Sequence, residues 1–216
     1  AIGIGISIQY LLVVGGQRLR MGSKKNFRRI KEEKIPLLGG VGIFLTLLIS
    51  AITFNNHQLM TFLLIASPLL VGGIIDDLFE FSAKFKFIFQ FSTAVLLVTL
   101  KYDELIWQTW APQTLFVPIL TVFFVVCLCN AVNFIDGLDG IVALYVMSVI
   151  PAIYLIPNGL QLTSPFLLGA LISFYLFNKY PAQIYLGDVG SNLLGFTLAY
   201  FFLTYQPTDL SHFTLL

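Results

Sequence analysis

The chain has 216 residues, of which 57% are hydrophobic, 15% aromatic and 11% charged, and its mean hydropathy is +0.89. A water-soluble globular domain carries about 25% charged residues, so that class is excluded. At about 20 residues per crossing the length holds roughly eight or nine membrane spans, and a single integral membrane domain over residues 1–216 is expected.

Ala1 to Gly16 has neither a basic leader nor a small-residue cleavage site, so it reads as a membrane helix rather than a signal peptide. It begins without Met, and the natural amino terminus is expected to precede Ala1. The formal net charge of +1 then conceals a cluster: Arg18, Arg20, Lys24, Lys25, Arg28, Arg29, Lys31 and Lys34 fall in one segment. Further apolar stretches follow at Ile35 to Phe54, Leu59 to Ile75, Phe85 to Leu100, Leu115 to Cys129, Ile141 to Ile156, Pro165 to Phe177 and Ser191 to Tyr205. The expected fold class is all-α, a polytopic transmembrane helical bundle of about eight helices. Several stretches are short and are expected to recruit polar turns or to sit where the bilayer is thin.

Basic residues of short loops favour the cytoplasm, which puts the N-terminus outside and the Arg18 to Lys34 loop inside. Alternation then places the turns Asp76 to Lys84, Asn130 to Gly140 and Asn178 to Gly190 inside as well, with Lys84, Lys86 and Lys179, while Lys101 lies outside. Trp107 and Trp110 fall in an outer segment and are expected to anchor at the interface. His57 and His212 lie outside and receive no chemical role. Cys127 and Cys129, one residue apart in an apolar run, suit neither a mutual disulfide nor zinc and read as packing residues.

Six of the eleven acids, Asp76, Asp77, Glu80, Asp136, Asp139 and Asp188, collect at the inner ends of the helices. Ionisable groups at membrane spans are costly and usually functional. Crowded carboxylates need a cation, and hard oxygen donors suit magnesium, which takes one or two carboxylates and fills its shell with water and phosphate. Asp76-Asp77 ends the third stretch, where an acidic pair opposes the helix dipole and needs an offset. Lys86 and Gln90, one turn apart on the next helix, offer an ammonium and an amide to the same cavity, although a lone boundary Lys commonly just anchors. Asn130, Asn133, Asp136 and Asp139 recur every third residue, which aligns them along one stripe if the segment is helical. Gly187-Asp188-Val189-Gly190-Ser191 sets a carboxylate between glycines before a helix that Ser191 is expected to cap.

With Pro36-Leu37-Leu38-Gly39-Gly40 after the basic loop, and Pro181-Ala182 leading to Asp188, these motifs resemble the polyprenyl-phosphate N-acetylhexosamine-1-phosphate transferases. The likeness runs from about Arg28 to Gly195. Members of that family have about ten helices and a histidine-containing cytoplasmic loop near the carboxyl end. This chain stops after the eighth stretch, so it is expected to be a partial family domain lacking the C-terminal helices. Lys31 stands where the family has a basic or His residue before the Pro-Gly-Gly element.

The resemblance implies a magnesium-dependent enzyme, with manganese as the alternative ion, that transfers a sugar 1-phosphate from a UDP-N-acetylhexosamine to undecaprenyl or another polyprenyl phosphate and releases UMP. It implies a bacterial inner membrane setting, envelope polysaccharide synthesis, a cytoplasmic active site, no nucleic-acid partner, and a homodimer as a compatible assembly. By the same analogy Asn133 and Asp188 hold the metal, with Asp76 or Asp77 near it. Asp77 deprotonates the lipid phosphate, Asp136 and Asp139 organise the nucleotide end, and Lys86, Gln90, Asn130 and Lys31 bind substrate. A membrane prenyltransferase fits Asp76-Asp77 and Glu80 loosely but leaves the Asn130 to Gly140 stripe unexplained. A cation transporter would place its acids near the midplane rather than at one face.

Overall fold

The computed structural model describes residues 1–18, 35–79, 82–109, 114–155 and 163–204. Eight α-helices stand at the eight expected stretches: α1 (Ile2–Arg18), α2 (Gly39–Thr53), α3 (His57–Phe79), α4 (Ala83–Lys101), α5 (Phe116–Ile135), α6 (Ile141–Leu155), α7 (Ser164–Asn178) and α8 (Gly187–Leu203). α3, α5 and the segment Ala83–Glu104 are long and apolar enough to cross a membrane, and α2 and α7 are shorter apolar helices. Four expected boundaries move by four residues or more: α2 starts at Gly39 rather than Ile35, α3 runs on from Ile75 to Phe79, and two more bear on the site. α5 continues past Cys129 to Ile135, and α8 starts at Gly187 rather than Ser191.

α8 is the hub, buried along nearly its whole length and packed against α2, α3, α5 and α6. α3 and α5 each pack on both α4 and α8, so the four form a ring whose α4-to-α8 diagonal is spanned by long side chains. α1 leans on α2 and α7. In a bilayer, apolar side chains gain little by leaving the lipid tails for one another, so close approach through small residues takes over. Gly73 shows this: a Cβ there would lie 2.5 Å from the backbone N and Cα of Val189, so α3 rests directly on the first turn of α8. Farther along the same pair of helices, Phe62 stacks on Phe196 at 5.5 Å and meets Tyr200 edge-on at 5.1 Å.

The far end of the bundle is closed by aromatics. Phe124 stacks on Phe202 at 4.8 Å, and Trp107 lies within 6.2 Å of both rings. The half-buried Trp107 thus packs into the bundle, which adds a sealing role to the anchoring expected of it; Trp110, His212 and the basic segment 19–34, Lys31 included, lie outside the described residues. Cys129 is buried and donates weakly to the Asn192 carbonyl, whereas Cys127 is exposed, and both thiols are free.

At the opposite end the connecting turns are tied together. The amide of Tyr185 donates to the Pro36 carbonyl, while the otherwise orphaned first N–H groups of α2, on Gly39 and Gly40, donate to Tyr185 and Leu186. Buried Asn178 accepts from the Gly140 amide at 2.9 Å and donates to the Ile184 carbonyl at 2.8 Å. The ends of α3, α5 and α7 and the starts of α2, α4, α6 and α8 therefore share one face, as alternation of the eight stretches requires.

The contact between α3 and α8 makes a testable demand. Gly73→Ala should lower stability in detergent by about 1–3 kcal/mol, because backbone rather than a flexible side chain must yield. Gly137→Ala, with nothing within 4 Å of the added carbon, should leave the thermal midpoint unchanged. Equal midpoints for the two variants would contradict the close approach.

Candidate active site

At the end of α3, Asp76 and Asp77 diverge. Asp76 is 6% exposed, and its Oδ2 receives the Lys86 ammonium at 2.8 Å. The same Nζ donates to Asp188 Oδ2 at 2.6 Å, so one cation from α4 holds a carboxylate from α3 and another from α8. Asp77 turns to the first turn of α8, where its Oδ1 accepts the Asp188 N–H at 3.0 Å and its Oδ2 lies against Gly187. Gly187 has φ +71°, and a Cβ there would stand 2.7 Å from Asp77 Oδ2. Only glycine allows both that left-handed turn and that approach. Each acid thus has the offset its place at a helix C-terminus demands, Asp76 from Lys86 and Asp77 from the positive end of α8.

α5 supplies the third wall. Asn133 Nδ2 donates to Asp188 Oδ1 at 2.6 Å and to Ser191 Oγ at 2.8 Å. One turn earlier, Asn130 Nδ2 donates to Gln90 Oε1 at 2.9 Å, and Gln90 Nε2 donates to Asn192 Oδ1 at 2.8 Å. A small, partly open cleft lies among Asp76, Lys86, Gln90, Asp188 and Asn192, floored by Leu69, Gly72, Gly73 and Phe89. Asp76, Lys86, Gln90 and Asp188 therefore meet in one place, from the consecutive helices α3 and α4 and the distant α8.

The stripe expected over Asn130 to Asp139 divides. Its helix stops at Ile135, and Asp136 takes φ −71°, ψ 66°, so the three-residue spacing ceases to mean one face. Asn130 and Asn133 turn to Gln90 and Asp188 behind the cleft, whereas Asp139 Oδ2 accepts the Ala182 N–H at 3.3 Å and ties its turn to the Pro181-Ala182 turn. Ser191 differs from expectation too. Because α8 begins four residues earlier, Ser191 sits inside the helix, accepting from Asn133 and donating weakly to the Asp188 carbonyl; Asp77 of α3 receives the first-turn N–H instead. Asn192 was not singled out from sequence, although a polar residue four after Asp188 in an otherwise apolar run is the signal that marks it. Lys31 and Glu80 lie outside the described residues.

The donor chemistry suits a hard cation. Asp76 and Asp188 direct one oxygen each at a single positive centre, the Lys86 ammonium. Among the described residues no three His, Cys, Asp or Glu side chains are grouped to hold a metal. Such a pair fits an ion that draws the rest of its shell from water and phosphate, as magnesium or manganese does, and Asn133 stands beside it with its Nδ2 on Asp188.

A model described as "Glycosyl transferase family 4" matches residues 59–206. The chain is 30% identical over 195 residues to a probable undecaprenyl-phosphate N-acetylglucosaminyl 1-phosphate transferase of Bacillus subtilis, covering 80% of this chain and 52% of the relative. It is 29% identical over 241 aligned positions to a phospho-N-acetylmuramoyl-pentapeptide-transferase of Carboxydothermus hydrogenoformans, covering 93% and 71%. It is also 29% identical over 224 positions to an undecaprenyl-phosphate alpha-N-acetylglucosaminyl 1-phosphate transferase of Thermotoga maritima, covering 98% and 66%. Set against these relatives, the chain spans from about half to about seven-tenths of their lengths.

The shared ammonium predicts a rescue. Lys86→Met should cost about 2 kcal/mol of stability in detergent, less than a fully buried pair because 29% of the lysine side chain is exposed. Adding Asp76→Asn to it should recover most of that loss by removing one of the two facing charges. A double variant less stable than the single, by thermal unfolding, would contradict the shared counter-ion.

Proposed function

The chain belongs to glycosyl transferase family 4, and on that premise we propose that it transfers a sugar 1-phosphate of the N-acetylhexosamine type from a UDP-sugar to a polyprenyl phosphate in envelope polysaccharide synthesis. An oxygen of the lipid phosphate forms a bond to the β-phosphorus of the UDP-sugar, the bond from that phosphorus to the bridging oxygen breaks, and UMP leaves with the electron pair. The observation that carries this reading is the cleft where Asp76, Lys86 and Asp188 converge at one end of an apolar bundle. Lipid is at hand along the helices, and a charged donor arrives from the open end.

Asp188 and Asp76 are the proposed holders of magnesium, with Asn133 joining them once its amide leaves the Asp188 carboxylate. Magnesium, when bound, neutralises pyrophosphate oxygens and lets a second anion approach. Phosphoryl transfer is otherwise a matter of positioning and charge neutralisation. Lys86 releases a carboxylate to meet a phosphate oxygen, and the lipid phosphate, whose second pKa is about 6, enters as the dianion with its proton lost to water rather than to a protein base. Asp77 was expected to be that base. Its Oδ1 is committed to the Asp188 amide, which favours a positioning role. Asp136 and Asp139, the latter bound to the Pro181-Ala182 turn, are proposed for the nucleotide end, and Lys31 with its basic neighbours for gathering anionic substrates. Lys84, Lys86 and Lys179 at this end, with the basic segment 19–34 next to it in sequence, support a cytoplasmic opening.

Purified protein in detergent, supplied with UDP-N-acetylhexosamine, undecaprenyl phosphate and magnesium, should release UMP, and Asp188→Asn should lower that release by more than about a hundredfold. Release undiminished in Asp188→Asn at limiting magnesium would contradict the assignment. Asp77→Asn, which still offers an oxygen to the α8 amide, should keep turnover within about tenfold of wild type while Asp77→Ala falls further. Equal, large losses in both would return the proton transfer to Asp77.

A further inference from the structure

The amides behind the carboxylates have only one consistent orientation. Asn192 Nδ2 lies 2.8 Å from the Asp188 carbonyl, which can only accept, so the NH₂ of Asn192 must face it. Asn192 Oδ1 then faces Gln90 and requires its NH₂, at 2.8 Å. Gln90 Oε1 in turn faces Asn130 and receives its NH₂ at 2.9 Å, a group that also donates to the Val126 carbonyl at 2.8 Å. The direction of all three amides is thus set by one backbone carbonyl of the proposed metal ligand.

Spacing makes this a ladder. Lys86 and Gln90 are one turn apart on α4, and Asp188 and Asn192 are one turn apart on α8, so each residue of one pair meets its counterpart across the diagonal. The upper rung is ionic and borders the cleft. The lower is amide to amide, with Gln90 2% and Asn192 6% exposed. Two leucines would fill such a place in a bundle core at no polar cost, whereas a buried amide pair is costly unless every member is satisfied. Here both are.

We propose that Gln90 and Asn192 are positioning residues that fix the height and rotation of the first turn of α8, and so hold the Asp188 carboxylate against its cation. The proposal gives Gln90 this role in place of the substrate contact expected from sequence, since both ends of its amide are engaged inside the protein. The inference rests on the transferase reading only for its effect on turnover; its effect on cation binding stands on the geometry alone.

Gln90→Leu, Asn192→Leu and the double variant test it. Each single variant leaves a buried amide unpaired and should lower the thermal midpoint of the metal-free protein. The double, which replaces both partners by apolar groups, should recover it. Manganese affinity, read by electron paramagnetic resonance, should fall about tenfold or more in the singles and stay low in the recovered double. kcat for UMP release should fall in parallel, with KM for the UDP-sugar unchanged. Manganese affinity and kcat returning with stability in the double would reduce the pair to packing and overturn the proposal. Weakened manganese binding in variants of a protein whose wild type releases no UMP would sustain the positioning role while counting against transfer by this chain alone.

Discussion

Everything at this site depends on the first turn of α8. A helix start carries unsatisfied N–H groups and the positive end of the peptide dipole, and here it is brought against the acidic end of α3. Asp77 accepts the Asp188 N–H, and Lys86 joins Asp188 to Asp76. Three carboxylates that would repel one another in an apolar bundle are held by one ammonium and one helix terminus. The glycines of this region follow from the same demand. Gly73 lets α3 touch the α8 backbone, and Gly187 lets the chain turn under Asp77.

The two Asp-rich motifs consequently do different work. Asp76 and Asp188 face each other across a cation in the cleft, which is what a divalent ion bridging phosphates requires. Asp139 is spent on the Ala182 amide at the neighbouring turns, where it organises the rim. The separation keeps the carboxylates on the Lys86 ammonium apart from the one that shapes the neighbouring turns. Behind both, the amide pair Gln90 and Asn192 gives the α4-to-α8 diagonal a fixed length where helix-to-helix packing supplies none.

Much of this was legible in the sequence. Hydropathy locates all eight helices, because a membrane span must be apolar over its length, and alternation of the spans brings Asp76, Lys86, Asn133 and Asp188 to one face. What escaped was local geometry. The three-residue spacing of Asn130 to Asp139 implies a common stripe only while the helix lasts, and it ends at Ile135. Ser191 looked like a cap because serine before an apolar run commonly is one; the true acceptor comes from α3, 111 residues away in sequence. Asn192 was overlooked because a single amide in an apolar run has no meaning until its partner on another helix is known.

The central claim is that Asp76 and Asp188, steadied by Lys86, make the cation site, and that Asp139 does not belong to it. Manganese binding to the purified protein, followed by electron paramagnetic resonance, tests it most directly. The account predicts one bound ion per chain, lost in Asp188→Asn, weakened in Asp76→Asn and unchanged in Asp139→Asn. Wild-type affinity in Asp188→Asn, or loss of the ion in Asp139→Asn alone, would contradict it.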